Sequence, residues 1–161
     1  MAESSRRMDI DPLVSFAFSV SIEGINVARF NGVDGLAYEV EMIEYRDSAN
    51  PNVVKYRQGR RKAGRVTLKR GVLVGSSQVN ELLGWIREIE SGKAMTPRNV
   101  SVEIGSYGID KGVSESSNDK ARAWQLLGCR PVKWSLGALD SNSNGSLIES
   151  IELVVEEIRQ D

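Results

Sequence analysis

Phe16, Phe18, Val20 and Ile22 alternate with Ala17, Ser19 and Ser21, and this two-residue period is that of a half-buried β-strand. Glu23-Gly24 supplies a two-residue turn, after which Ile25 and Val27 resume on the same face. In that register Ile22 opposes Ile25 and Val20 opposes Val27, so both strands of the hairpin bury one side. Asn31-Gly32 and Asp34-Gly35 follow as turn signals.

The same alternation returns further on. From Ala37 to Arg46, Tyr38, Val40 and Met42 share one face while Glu39 and Glu41 share the other. Residues Asp47 to Ala63 are polar and rich in turn formers, and read as a loop whose length implies a task. Arg65 to Arg70 reads as a strand with Val66 and Leu68 inward and Arg65, Thr67 and Lys69 outward. A single segment has helical spacing: Val79, Leu82, Leu83, Ile86 and Ile89, with Ser76 or Ser77 to cap its start, Trp85 beside the stripe and Gly92 to stop it. Such a helix covers one open side of a sheet core. Strands resume over Asn99–Ile104, Ala121–Cys129, Val132–Leu136 and Leu147–Ile158, with surface loops at Gly112–Lys120 and Asp140–Gly145. Ile148, Ile151, Val155 and Ile158 also fit a helical stripe, but the β-branched content and the preceding turn-rich loop favour a strand. The expectation is a mainly β, antiparallel two-sheet sandwich or barrel with one α-helix packed outside. A flexible N-terminal arm, residues 1–11, precedes a single domain over residues 12–161.

Composition narrows what such a domain can do. Lys and Arg number 21 against 22 Asp and Glu, a net charge of -1, so no global field draws the chain to nucleic acid or anionic lipid. Histidine is absent and cysteine occurs once, at Cys129. That removes Ser-His and Cys-His nucleophile pairs, the imidazole metal ligand, an internal disulfide and a thiolate zinc cage. Cys129 reads as a small apolar strand residue. The reading is of a non-enzyme without cofactor or metal. Arg6-Arg7 are followed by Met8-Asp9-Ile10-Asp11-Pro12 and not by an apolar run, so no signal peptide and no stable membrane insertion are expected. Synthesis and folding are expected in the cytoplasm.

Other motifs fall short of chemistry. Gly59-Arg60-Arg61-Lys62-Ala63-Gly64 has the glycine spacing of a phosphate-binding loop, but lacks the Lys-Ser/Thr pair and leads into a strand. Glu39/Glu41 and Glu156/Glu157 are common surface spacings with nothing to raise one pKa. The run from Lys55 to Arg70 is basic and could meet a phosphate backbone, which keeps a nucleic-acid-binding β-domain as an alternative. Only Tyr56 is interleaved there as an aromatic, too few for a stacking platform. Opposite charge gathers at Glu39, Glu41, Glu44 and Asp47, and again at Glu149, Glu152, Glu156 and Glu157. Segregated charge with near-zero net charge suits head-to-tail self-association, in which one surface meets a different surface on the next copy.

Several segments resemble, in order, the tail tube family of contractile phages. They are Phe16 to Phe30 with its Glu-Gly turn, Val33-Asp34-Gly35-Leu36, Glu39-Val40-Glu41, Ile43-Glu44-Tyr45-Arg46 and Val66-Thr67-Leu68-Lys69-Arg70-Gly71. Leu83 to Ile86, Glu88-Ile89, Arg98-Asn99-Val100-Ser101-Val102, Trp124, Pro131-Val132-Lys133-Trp134 and Ile148-Glu149-Ser150-Ile151-Glu152-Leu153 continue the series. The resemblance runs from about Pro12 to Ile158. The family includes the inner tubes of extracellular contractile injection systems and is related in fold to the type VI secretion tube protein.

The resemblance implies homohexameric rings stacked into a tube, a contractile sheath around it, baseplate and terminator proteins as further partners, and a lumen that conducts DNA or protein cargo. It places the chain in a phage tail or contractile particle, with a tube-initiating adaptor ring at the baseplate as the alternative within the family. The Asp47–Ala63 stretch corresponds to the family's extended loop, so Asp47, Lys55, Tyr56, Arg57, Arg60, Arg61 and Lys62 are the expected inter-subunit and ring-stacking residues. Glu39, Glu41, Thr67 and Lys69 are the candidate lumen face. The loop departs from the family pattern, with Asp47-Ser48-Ala49-Asn50-Pro51 and Tyr56-Arg57-Gln58-Gly59 in place of a Gly-rich acidic segment and a Leu-Pro-Gly-like turn.

Overall fold

The opening alternation becomes β1, Phe18–Ile22, with Val20 and Ile22 buried and Ser19 and Ser21 exposed. Glu23-Gly24 turns the chain, and Ile22 pairs with Ile25 as expected. The computed structural model of the protein describes residues 18–25, 30–62, 64–72, 77–105 and 120–160. The expected features at Phe16, Val27, residues 1–11 and the 112–119 loop lie outside them.

After β1 come β2 (Gly32–Asp34), β3 (Glu39–Arg46), β4 (Val54–Lys62), β5 (Gly64–Gly71), α1 (Ser77–Ser91), β6 (Arg98–Gly105), β7 (Lys120–Leu136), β8 (Ile148–Val155) and β9 (Glu157–Gln160). Seven strands form one antiparallel sheet in the order β1-β6-β7-β8-β5-β2, with β9 beside the first half of β7. This sheet curls into a half-barrel, and β3 and β4 make a small sheet of their own. The mainly β architecture with one helix is the expected one, reached by curling a single large sheet.

The concave side holds the core. Val66 and Leu68 on β5, Ile151, Leu153 and Val155 on β8, Val100 and Val102 on β6, and Leu126 on β7 are all buried. Helix α1 closes this side with Leu82, Trp85 and Ile86. Each such side chain contributes about 1.5–3 kcal/mol by leaving water. Trp85, expected only to flank the stripe, is buried at its centre, and its indole N–H donates to Thr96 O at 2.9 Å. The Glu88 carboxylate accepts from the Thr96 N–H at 2.8 Å, which ties the segment after Gly92 back onto the helix. Arg98 stacks its guanidinium 5.9 Å from the Trp85 ring centre and donates to Glu23 O at 2.9 Å, joining helix, β6 and the first turn.

Two expectations about strands need correction. The polar stretch Asp47–Ala63 is not a loop: Val54–Lys62 is a strand along β3, and only residues 47–53 turn. Its charged residues gave no apolar period because neither face of this hairpin is buried by its own chain. The segments Ala121–Cys129 and Val132–Leu136 are one 17-residue strand, β7. It bends at Gly128, whose φ of 64 lies in the left-handed region. A β-carbon there would sit 2.5 Å from Glu156 Oε2. The bend lets β7 pair with β6 and β9 through its first half and with β8 through its second. Cys129, just after the bend, is fully buried, and burial pushes its thiol up to about 12.

The stretch Leu147–Ile158 is extended and not helical, but it breaks at Glu156 into β8 and β9, which pair with different halves of β7; β8 alternates between buried and less buried positions. Its first buried residue is Glu149, which the sequence placed among surface acids. Arg70, the end of the basic run, is its register partner on β5 and is also buried, at 2% against 4% exposure. Arg70 Nε donates to Glu149 Oε1, and Trp134 Nε1 donates to Glu149 Oε2 at 3.0 Å. Both carboxylate oxygens are thus satisfied inside the sheet.

Candidate assembly surfaces

The hairpin β3–β4 is launched at Gly35, whose φ of 85 only glycine adopts without strain. A β-carbon at Gly35 would lie 2.3 Å from the Arg65 carbonyl oxygen, so the chain can pass this close to β5 only without one. Every residue of β3 is exposed, and β4 is exposed except at Val54 and Gly59. Register sets the pairs: Ile43 opposes Arg57 and Tyr45 opposes Lys55, while Met42 opposes Gln58 and Glu44 opposes Tyr56. Opposed residues share a face, so one face of the arm sets Ile43 and Tyr45 beside Arg57 and Lys55, and the other sets Met42 and Tyr56 beside Gln58 and Glu44. A shift of register between Val40 and Met42 bends the arm near its base.

Charge ties the hairpin together at both ends. Lys62 Nζ lies 3.0 Å from Glu39 Oε1 at the base, and Lys55 Nζ lies 3.2 Å from Asp47 Oδ2 at the tip. The Ala49 N–H, with Lys55 second, holds the Asp47 carboxyl below its ordinary range. Hydrogen bonding and attraction by Glu39 raise Lys62. Both pairs are solvated, so they add little to stability. A two-stranded hairpin with no covered face is marginal in water on its own.

The residues expected to mediate assembly, Asp47, Lys55, Tyr56, Arg57, Arg60, Arg61 and Lys62, therefore all lie on this arm or its turn. Arg61 also approaches the C-terminal strand, where it helps to lower Glu157 after the dominant contribution of Arg159. A cleft lined by Tyr38, Val40, Arg61, Lys62, Glu157 and Ile158 marks the arm's base.

The structure does not bring together the four residues expected on one lumen face. Glu39 and Glu41 stand on the arm, whereas Thr67 and Lys69 stand on the convex face of the half-barrel. Alternating sequence assigned each to a polar face but had no means of showing that these faces belong to different sheets. Around Thr67 and Lys69 the register builds a polar surface: Lys69, Ser150 and Ser135 form one row, and Asp34, Thr67, Glu152 and Lys133 the next. Arg65 reaches Glu152 at 2.8 Å on the same face. Missed altogether was the Arg70–Glu149–Trp134 group, although a charged residue at an apolar-parity position in each strand is the signal that marks it.

Among the described residues no cluster of three or more Cys, Asp or Glu could hold a metal ion, and no helix is long and apolar enough to cross a membrane.

Residues 14–159 match the family described as T4-like virus tail tube protein gp19. Among curated proteins no sequence matches significantly. Several solved structures share the fold. A chain of the sheath–tube complex of an extracellular contractile injection system, PVC, in the extended state has a TM-score of 0.79 and 20% identity over 99% of each chain. A chain of the sheath/tube terminator of the same system has a TM-score of 0.76 and 23% identity, covering 94% of this chain and 97% of that one. A chain of the anti-feeding prophage tube terminating cap gives 0.76 and 21% identity over 100% of this chain and 99% of that one.

Proposed function

The chain belongs to the T4-like virus tail tube protein family, and from that membership we propose that it is the structural protomer of the inner tube of a contractile tail or injection system. Six copies close into a ring, rings stack into a tube, and a contractile sheath, a baseplate and a terminator complete the particle. The tube's lumen conducts DNA or protein cargo. The role is mechanical and not catalytic.

The observation that carries this reading is the β3–β4 arm. It exposes Tyr38 and Tyr56 at 64% and 63%, together with Met42, Ile43 and Tyr45, and its strands pair with no others among the described residues. Such a hairpin gains a buried face only from a neighbouring molecule. Its cations, Arg57, Arg60 and Arg61, steer that neighbour and fix the register of contact. The convex face supports the lumen assignment of Thr67 and Lys69, because it is hydroxyl-rich and charged along several neighbouring strands. A wall wet on one side and packed on the other needs that division.

Electron microscopy of the purified protein across a concentration range tests the proposal. Six-fold rings or hollow tubes are expected; long tubes identify the main tube, and single rings that never stack identify an adaptor. A chain that stays monomeric at every concentration overturns the reading. Reversal of Arg60, Arg61 and Lys62 to Glu should abolish stacking while the fold survives, and normal tubes from that variant remove the arm's role. Cysteines placed at Thr67 and Lys69 should react with a bulky thiol reagent only at broken tube ends. Labelling along the whole tube would put that face outside. Steeply salt-dependent DNA affinity of the monomer would favour a nucleic-acid-binding module instead.

A further inference from the structure

The connection between β7 and β8 is anchored at both of its ends. At the start, the Asn142 N–H donates to Asp140 Oδ1 at 2.9 Å and the Ser143 N–H to Asp140 O at 3.2 Å, which closes a turn. At the end, Leu147 O accepts from the Val72 N–H at 3.0 Å and Ile148 O from the Gly137 N–H at 2.8 Å. Asn144, Gly145 and Ser146 stand between these anchors, all exposed. The Gly145 N–H donates to the Ser143 hydroxyl at 3.3 Å, a long bond to an exposed group, and the Asn144 carboxamide bonds to no other described residue.

An asparagine followed by glycine sets an electrophile beside a nucleophile. The carboxamide carbon of Asn144 and the backbone nitrogen of Gly145 can close a five-membered ring, and no second molecule has to approach for the attack. This lability of asparagine is restrained in two ways: by a side chain on the following residue, and by a backbone locked in a hydrogen-bond ladder. Gly145 has no side chain and lies outside every strand.

We propose that Asn144 is a site of spontaneous modification, converting to isoaspartate and aspartate in the folded chain. The deprotonated nitrogen of Gly145 attacks Asn144 Cγ. The new N–Cγ bond forms as the Cγ–Nδ2 bond breaks, and ammonia leaves with the proton that Gly145 gave up. Water then opens the cyclic imide. Cleavage between the Gly145 nitrogen and Cγ gives aspartate. Cleavage between that nitrogen and the main-chain carbonyl carbon of Asn144 gives isoaspartate, whose backbone runs through Cγ and is one carbon longer. One water is consumed and one ammonia released, with no oxidant or cofactor. Either product adds one negative charge to a chain whose net charge is -1. The anchors at Leu147 and Ile148 confine the longer backbone to the loop, so the modified chain should keep its fold.

The chain's other Asn-Gly step, Asn31-Gly32, is an internal control. Asn31 is exposed as well, but its N–H donates to Lys69 O at 2.8 Å, and Gly32 lies in β2, paired with Lys69 on β5. A backbone held extended against a neighbouring strand keeps the Gly32 nitrogen away from Asn31 Cγ. Exposure is common to the two sites, and strand pairing separates them.

In the test, the full chain is held in warm, mildly alkaline buffer and digested with trypsin, with a zero-time sample to correct for conversion during digestion. Mass spectrometry follows the peptides Phe30–Arg46 and Trp134–Arg159. The second should gain the mass difference between a hydroxyl and an amino group, with fragmentation placing the change at Asn144 and not at Asn142. It should also accept methyl groups from S-adenosylmethionine through an isoaspartyl carboxyl methyltransferase. Phe30–Arg46 should stay intact in the folded chain and convert once the chain is unfolded in urea. Gly145→Ala should lose the conversion over the same interval. Its β-carbon would meet Ser143 Oγ at 3.4 Å, an ordinary contact, so the variant should fold. Asn144→Gln, whose ring would need a sixth member, should lose it too. An Asn144 that stays intact in the native chain while converting in urea would overturn the proposal, because the fold would then protect it. Conversion of Gly145→Ala as fast as wild type, or of Asn31 as fast as Asn144 in the native chain, would overturn it equally. None of these outcomes depends on whether the chain forms tubes.

Discussion

Removing one partner of the Arg70–Glu149 pair should cost far more than removing both. Glu149 accepts two hydrogen bonds, from Arg70 Nε and Trp134 Nε1, and neither charged residue reaches solvent to more than a few per cent. Arg70→Leu leaves a carboxylate inside the sheet with only the indole N–H. Glu149→Leu leaves a guanidinium with no acid opposite it. Either single change should destabilise the monomer by about 3–5 kcal/mol. The double variant Arg70→Leu/Glu149→Leu removes both desolvated charges. It puts two apolar side chains into a row already flanked by Leu68 and Ile151, so it should lie within about 1 kcal/mol of wild type. Arg65→Leu is the internal control, since Arg65 pairs with Glu152 across a surface where its own side chain is 70% exposed, and should change stability by about 1 kcal/mol or less. Urea unfolding at concentrations below assembly, followed by tryptophan fluorescence, measures all four. Single variants that cost less than about 1 kcal/mol and simply add in the double variant would show that the pair is solvated. The argument from burial would then be wrong.

Other outcomes follow from the same geometry. Cys129 should resist alkylation at pH 8 until the chain unfolds, because burial raises its thiol to about 12; prompt labelling of the native chain would contradict the buried strand position. Below pH 9 that raised value has no effect on stability, and between 9 and 12 the unfolded thiolate should weaken the fold progressively. Asp47 has a folded pKa below 3.8, so its contribution to the arm's tip is complete above about pH 4 and lost as pH falls through the depressed value. An NMR titration of its carboxyl that returned the ordinary midpoint would disprove the turn geometry. Gly35→Ala should destabilise by at least about 1–3 kcal/mol from the positive φ alone, before the contact with Arg65 O is counted, and thermal unfolding measures it.

Much of the half-barrel was readable because its strands have one wet face. The two-residue period at Val20 and Ile22, at Val66 and Leu68, and at Ile151 and Leu153 assigned both secondary structure and core side correctly. The arm was legible only in part. Its first strand shows an alternation of Tyr38, Val40 and Met42 with glutamates, but β4 reads as polar throughout, because nothing in its own chain buries either side. Periodicity reports burial, and a segment exposed on both faces carries little of it. The split of Glu39 and Glu41 from Thr67 and Lys69 shows a second limit. Parity gives the face of a strand, but the sheet to which the strand belongs is decided by long-range pairing such as β5 with β8. Arg70 and Glu149 escaped notice for a related reason: charge composition placed them in a basic run and an acidic cluster, whereas parity put both inside.

Strand β7 has a mechanical meaning as well as a topological one. Its 17 residues cover about 54 Å of extended chain, hydrogen-bonded to β6 on one side and to β9 and β8 in succession on the other. A force along this strand is borne in shear by many bonds in parallel, so they yield together at a high threshold. A force across it would unzip them singly at a low one. The fold is therefore stiffest along β7, and the bend at Gly128 is where an overloaded strand should give way first.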